Sequence, residues 1–338
     1  MSKYKAAVIG LGNIGLMYDF DEKRNHPSSH SLAYTDSDNF DLVFCVDSDV
    51  EKGKWLNKIN HRAYFFRTID EAIKCGYAND IDVVSVCTPP DTHFCILSEL
   101  LEKKIGKVVF CEKPIALNSK EAKKIKEMVE QYNVKIIPNI SRRWNVGLRK
   151  VKDTVQNQRY GKLEKINVRY TRGIYNTGSH LFDILEMWTG TEIESVEALD
   201  KTITTAEPEP TFSFFFKMRN GVTGYAEAIN DEQYYMFEID MFLTDGKIEM
   251  RNSGDDVRYF SRTSHHLFGD FMELKEVAHD GNLLADSCIM NAVDNISGWL
   301  KNGDSVLCSL ENAIKPLYIA EALEKSFNLK QVVKVNYE

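Results

Sequence analysis

Five short runs in the first 140 residues are apolar along their whole length and rich in β-branched residues: AAVIG (6–10), LVFCV (42–46), VVSVC (83–87), VVFC (108–111) and VKIIP (134–138). A strand without a polar face must be covered on both sides, which is the condition of a parallel sheet held between helices. The intervening segments offer those helices. Asp91–Lys103 is one, with Asp91 as its expected cap; Ser119–Tyr132 is another, with an apolar stripe at Ala122, Ile125, Val129 and Tyr132. Strand–helix–strand units repeated in this way predict a doubly wound α/β domain over residues 1–140.

The texture changes after residue 140. KINVRYTRG, SVEALDKTI, TFSFFFKM, TGYAEAIN, MFEIDMFLT and GKIEMRN read as partly alternating strands, and Asn220-Gly221 sits where a hairpin turn belongs. Helical patterns at Ser179–Thr189 and Leu310–Phe327 frame them. Residues 141–338 are therefore expected to form an α+β domain on a mostly antiparallel open sheet, with AEPEPT (206–211) as a plain connector.

Composition narrows the function. The 338 residues are 43% hydrophobic and 27% charged with a formal net charge of -8. The charges are mixed along the chain, which argues against a nucleic-acid partner, since that would need a basic face. No apolar run reaches the ~18 residues of a membrane span, and MSKYKAAVIG lacks a signal-peptide pattern. Seven cysteines, none in C-x-x-C, suit a reduced, cytoplasmic setting, with Cys45, Cys87 and Cys111 as core fillers. His265-His266 has no cysteine or carboxylate at ligand spacing, so no metal is expected.

The first apolar run continues into Gly10-x-Gly12-x-x-Gly15, a weak motif alone but here at a strand end. Gly10 permits the tight turn, Gly12 admits a pyrophosphate, and Gly15 lets helix and sheet approach. Amides at the helix start, around Asn13 and Ile14, then attract phosphate. Asp47 ends the second run, placed to accept hydrogen bonds from ribose hydroxyls and to repel a 2′-phosphate, which favours NAD over NADP. The plainer alternative is that Asp47 caps the next helix. Asp47 lies 32 residues beyond Gly15, against about 20 in the usual fingerprint; YDFDEKRNHPSS (18–29) reads as an inserted loop that makes up the difference. Thr88-Pro89-Pro90 forms a stiff turn at the third strand end, a ligand-facing position. His93 either faces the cofactor or solvates the helix start.

VVFCEKP (108–114) delivers Glu112 and Lys113 to another strand end and stops at Pro114. Together with AVIGLGNIG and CTPPDTH, in that order, it resembles the Gfo/Idh/MocA oxidoreductases. The likeness runs on through SRRWN (141–145), GSHLFD (178–183) and AIKPLYIAEALEKSFNLKQVVKV near the end. The resemblance implies that Lys113 is the acid/base residue beside the reacting carbinol, that its bond to Pro114 is commonly cis, and that Glu112 and Lys113 adjoin the cofactor. Desolvation beside an oxidised nicotinamide lowers a lysine towards the range useful for proton transfer.

In RGIYNTGSHLFDILEMWTG (172–190), Asn176, His180 and Asp183 are spaced to share one helical face, with Leu181, Ile184, Leu185 and Trp188 opposite. His180 matches the family's histidine, a substrate-hydroxyl contact. Asn176 stands where many members carry aspartate, which points away from cyclitols and free sugars and towards a nucleotide sugar. Asp183 either orients His180 or anchors the helix. Arg142 or Arg143 is expected to hold a substrate phosphate or carboxylate. The family reading is an NAD-dependent carbohydrate dehydrogenase, a homodimer or homotetramer packed through the aromatic sheet at Phe212, Phe214, Phe215 and Phe216 with Tyr234, Tyr235 and Phe237 nearby; the plainer alternative for these rings is an ordinary core. An NAD-dependent glycosidase and a non-enzymatic NAD-binding regulator are the alternatives.

Overall fold

All five apolar runs lie in one parallel sheet in the computed structural model, which describes residues 3–203 and 209–338. Its strands are β1 (Tyr4–Ile9), β2 (Phe40–Val46), β3 (Tyr64–Phe66), β4 (Val83–Val86), β5 (Val108–Glu112) and β6 (Lys135–Asn139), in the order β3-β2-β1-β4-β5-β6. β4 is buried at every residue, as a strand covered on both faces must be. The covering helices are α1 (His30–Asp36), α2 (Glu51–Ile59), α3 (Ile69–Lys74), α4 (His93–Glu102), α5 (Ser119–Tyr132) and the short α6 (Ser141–Trp144). Asn118 caps α5 by accepting the Glu121 amide at 3.0 Å, while Glu121 reaches back to the Leu117 amide, also at 3.0 Å. Asp91 does not cap α4: the chain enters that helix through a 3₁₀ turn at Pro90–Thr92, without a side-chain cap.

The glycine motif does not open directly into a full helix. One turn forms, in which Leu16 and Met17 donate to the Gly12 carbonyl, and the chain then leaves. It returns at α1, where the His30 and Ser31 amides donate to the Ile14 and Gly15 carbonyls at 3.0 and 3.1 Å. α1 thus resumes the helix that the first turn began. The residues between are the insertion that the long Gly15-to-Asp47 spacing predicts.

The second sheet has nine strands: β7 (Leu163–Tyr170), β8 (Ile193–Thr202), β9 (Thr211–Met218), β10 (Thr223–Ala228), β11 (Phe237–Leu243), β12 (Gly246–Arg251), β13 (Asp256–Ser264), β14 (Met272–Gly281) and β15 (Val333–Lys334). Among the described residues, only β7 and β10 of this sheet pair in parallel. The β9–β10 hairpin turns at Asn220-Gly221, where Gly221 has φ +90°. One sheet face packs on α7 (Val146–Gln156) and α8 (Gly178–Thr189), whose Leu181, Ile184, Leu185 and Trp188 are fully buried.

The chain forms two compact units, 1–144 with 286–314, and 145–285 with 315–338. The expected break after residue 140 falls four residues before the first crossing, but the second domain is not the continuous stretch 141–338. Helix α9 (Cys288–Asn302) belongs to the first unit, and α10 (Leu310–Leu329) carries the last crossing. Of the connector at 206–211, residues 206–208 lie outside the described residues.

Candidate functional site

Strand order reverses between β1 and β4, and a cleft of about 560 Å³ opens beside their carboxyl ends. Gly10, Gly12, Asp47, Thr88 and Pro89 all line it. Gly10 has φ +90°, and a side chain there would press on the Cys87–Thr88 backbone at 2.7 Å. A Cβ on Gly15 would overlap the Gly10 carbonyl oxygen, whereas one on Gly12 would meet nothing within 4 Å. The loop is closed where helix meets sheet and open where a pyrophosphate would approach, so the residues present fit a dinucleotide. Asn13, Ile14, Pro90, His93, Glu112 and Lys113 are not among the lining residues.

Asp47 is tied to the glycine turn. Its Oδ2 accepts the Leu11 amide at 2.6 Å and its Oδ1 the Asp49 amide at 2.9 Å. Helix α2 begins at Glu51 behind Val50, without a side-chain cap, so capping is not what Asp47 does. Ser48, Thr68, Ile69, Asp70, Ile96 and Glu99 also line the cleft, over a floor of Ile9, Val46 and Cys87. Lys103 bridges Asp70 and Glu99 on its rim at 2.7 Å each, and the lysine contact holds Asp70 below its usual range. These residues carry no motif; Thr68 caps α3 by accepting the Glu71 amide at 3.2 Å.

Lys113 is half-buried at the end of β5, and the Lys113–Pro114 bond is cis. The residues on either side of it are held by buried histidines. Glu112 Oε1 lies 2.9 Å from His30 Nε2 and accepts from Asn139 Nδ2 at 2.6 Å. The Pro114 carbonyl lies 2.8 Å from His93 Nδ1, and His93 Nε2 lies 2.8 Å from the Thr88 carbonyl. His93 is fully buried, so it does not solvate the helix start, and both ring nitrogens face backbone oxygens rather than the cleft.

In the second unit, Asn176 lies on one π-helical turn, Gly173–Thr177, and His180 in the first turn of α8, so the two are not on one regular α-helical face. The described end of the expected connector, residues 209–211, positions that turn and so does more than connect. Thr211 Oγ1 accepts the Gly173 amide at 2.7 Å, the Pro210 carbonyl the Ile174 amide at 3.0 Å, and Glu209 Oε1 the Asn176 amide at 2.7 Å. Glu209 is therefore a site-shaping residue that sequence reading missed. Asp183 is buried, while Asn176 and His180 are half-buried.

Arg143 Nη1 donates to the Leu307 carbonyl at 3.4 Å within the first unit, and Arg142 precedes it on α6. The β13–β14 pair brings Glu273 within 2.7 Å of His266, a carboxylate that linear spacing did not show. His265 Nδ1 accepts the Leu267 and Phe268 amides, which leaves the proton on Nε2 and makes that nitrogen a poor metal ligand. Burial pushes the Cys45 thiol up to about 12, as befits an inert filler.

Sheet order, glycine turn and acidic strand end define a dinucleotide-binding Rossmann protein. Residues 4–140 match the family described as "Oxidoreductase family, NAD-binding Rossmann fold", that of the Gfo/Idh/MocA oxidoreductases. It is 30% identical to an inositol 2-dehydrogenase of Rhizobium meliloti over 46% of this chain, spanning about half (51%) of that relative's length. A myo-inositol 2-dehydrogenase of Thermotoga maritima is 25% identical over 72% of this chain and 74% of its own. The fold matches an oxidoreductase from Agrobacterium radiobacter, solved in complex with NAD+, L-tartaric acid and magnesium, with TM-score 0.77 and 15% identity over 99% of each chain.

Proposed function

We propose that the chain is an NAD(H)-dependent oxidoreductase acting on a secondary alcohol of a carbohydrate. The observation that carries this reading is that the glycine turn after β1, Asp47 after β2 and Lys113 after β5 all stand at carboxyl ends of strands in one parallel sheet, the first two lining one cleft. NAD, when bound, supplies the hydride acceptor. Gly10 permits the tight turn, Gly12 leaves the backbone clear for the pyrophosphate, and the amides around Asn13, Ile14 and Gly15 offer it donors. Asp47 binds the adenosine ribose and disfavours a 2′-phosphate, hence NAD rather than NADP. Thr88, Pro89 and Pro90 wall the cofactor, and His93 shapes that wall from behind.

Lys113 takes the hydroxyl proton during oxidation and returns it during reduction, with Glu112 beside it. His180 and Asn176 are hydroxyl contacts, and Arg142 or Arg143 holds an anionic group of the substrate. The relatives' names favour a cyclitol, whereas Asn176 in place of aspartate favours a nucleotide sugar. A panel of inositols, free sugars and nucleotide sugars with NAD⁺ and with NADH decides between them, read by nicotinamide absorbance. Release of free sugar without net absorbance change would instead mark a glycosidase, and inactivity with every compound would remove the reading.

The chain assembles as a homodimer or homotetramer through the uncovered sheet face. A groove of about 380 Å³ crosses that face between β7, β8, β9 and β10, with Phe215 half exposed beside Tyr225; Phe212, Phe214 and Phe216 alternate to the other face and are buried in the core, not available to a partner. A second copy buries these rings.

A further inference from the structure

A chain of polar side chains runs through the interior of the first unit beneath Lys113. Tyr34 OH lies 2.9 Å from Ser85 Oγ, which lies 2.9 Å from His30 Nδ1; His30 Nε2 lies 2.9 Å from Glu112 Oε1. Asn139 Nδ2 donates to the same oxygen at 2.6 Å, and Trp144 Nε1 donates to Asn139 Oδ1 at 2.9 Å. Tyr34, His30, Ser85 and Trp144 are all fully buried. The groups come from α1, β4, β5, β6 and α6, and the His30 ring also packs on Phe110 at 4.6 Å.

With Glu112 ionised and His30 neutral, one proton pattern satisfies every donor. Trp144 can only donate, which fixes the Asn139 carbonyl towards it and the Asn139 amide towards Glu112. An ionised Glu112 only accepts, which places a proton on His30 Nε2 and leaves Nδ1 to accept from Ser85, and Ser85 in turn from Tyr34. Every donor then has an acceptor. Tyr34 and Trp144 at the two ends are sealed from solvent and only Glu112 is partly exposed, so the chain holds a carboxylate in place. The Cys87 and Cys111 thiols sense that anion: each is held well above its usual range, by burial first and then by Glu112.

We infer that His30 is a positioning residue for Lys113, acting through the Glu112 carboxylate. Successive strand residues point to opposite faces, so pinning the Glu112 side chain inward fixes the direction in which Lys113 leaves β5. It also keeps a negative charge one residue from the reacting amine. The inference rests on the reading of Lys113 as the acid/base group, but its test does not require turnover.

Two substitutions separate the roles of the ring nitrogens. In His30→Gln the side-chain amide reaches the place of Nε2 and keeps the Glu112 bond; in His30→Asn it reaches only the place of Nδ1 and keeps Ser85. Lys113 reactivity is measured by competitive acetylation with limiting acetic anhydride and peptide mass spectrometry, with surface Lys54 as internal standard. Lys113 in His30→Asn should label about threefold faster than in the native protein, the effect of roughly half a pK unit in the free-amine fraction. His30→Gln and Ser85→Ala should stay within about 1.5-fold, by the same relation. Equal labelling in all variants, or equal change in both His30 variants, overturns the inference. If His30→Asn does not fold, Asn139→Ala removes the other donor to Glu112 and should show the same acceleration; unchanged labelling there overturns it equally. A protein that shows this pattern yet oxidises no carbohydrate would refute the proposed function and leave this inference standing.

Discussion

His93 Nδ1 lies 2.8 Å from the Pro114 carbonyl oxygen, so a buried imidazole on α4 holds the residue that follows Lys113. Its Nε2 reaches the Thr88 carbonyl at 2.8 Å, which joins the lysine turn to the wall of the cofactor cleft. Replacing His93 with alanine empties a buried site and leaves the carbonyl that accepts the ring N–H without its donor, which should cost about 2–4 kcal/mol of stability. His93→Gln, which can restore one bond, should cost roughly half as much. Chemical denaturation of the two variants checks this; equal and negligible losses would show that the bridge carries no stability.

The glycines of the first turn should respond in opposite ways. Gly15→Ala drives a methyl into the Gly10 carbonyl and should destabilise by about 3 kcal/mol or more. Gly12→Ala adds a methyl to open space, so melting should shift by no more than about 2 °C. NAD binding to Gly12→Ala should nonetheless weaken about tenfold, the cost of roughly 1.4 kcal/mol, because the methyl stands where the pyrophosphate approaches. Calorimetry of melting and of cofactor binding tests both halves.

Asp47→Asn keeps an acceptor near the Leu11 amide but removes the charge. The preference for NAD over NADP should narrow by about tenfold, or roughly 1.4 kcal/mol. An unchanged ratio of dissociation constants would mean that the ribose is bound elsewhere.

The uncovered sheet face makes a pH prediction. Burial works against the Asp240 charge, but hydrogen bonds from Arg251 (2.7 Å) and Lys247 (2.8 Å) outweigh it and lower its pKa below the ordinary 3.8. A depressed carboxylate stabilises the fold above its unfolded value and loses that contribution as pH falls through its folded value. Asp240→Asn should therefore cost about 1–3 kcal/mol at neutral pH, and the difference from the native protein should shrink below pH 3.8. Urea titrations at neutral and acid pH measure it.

The parallel sheet was legible because uniformly apolar, β-branched runs leave few other folds open. β3 escaped notice because three residues, Tyr64–Phe66, give no period to read. β14 escaped because MELKEVAHDG is almost wholly exposed and carries charges where a half-buried strand would alternate. Spacing revealed the insertion after the glycine turn, but not that His30 beyond it reaches Glu112, 82 positions away. Glu209 looked like part of a connector since its role exists only once the Gly173–Thr177 turn has formed. Helix α9 could not be assigned to the first unit, because tertiary contact rather than local pattern places it there.

The central claim is that the Lys113 amine exchanges the proton of a carbohydrate hydroxyl. The most direct measurement is the nicotinamide absorbance change with the best substrate of the panel, for the native protein and for Lys113→Ala. The expected result is a loss of about 10²-fold or more in kcat, with NADH affinity changed by less than about threefold. A Lys113→Ala protein that turns over at the native rate would contradict it.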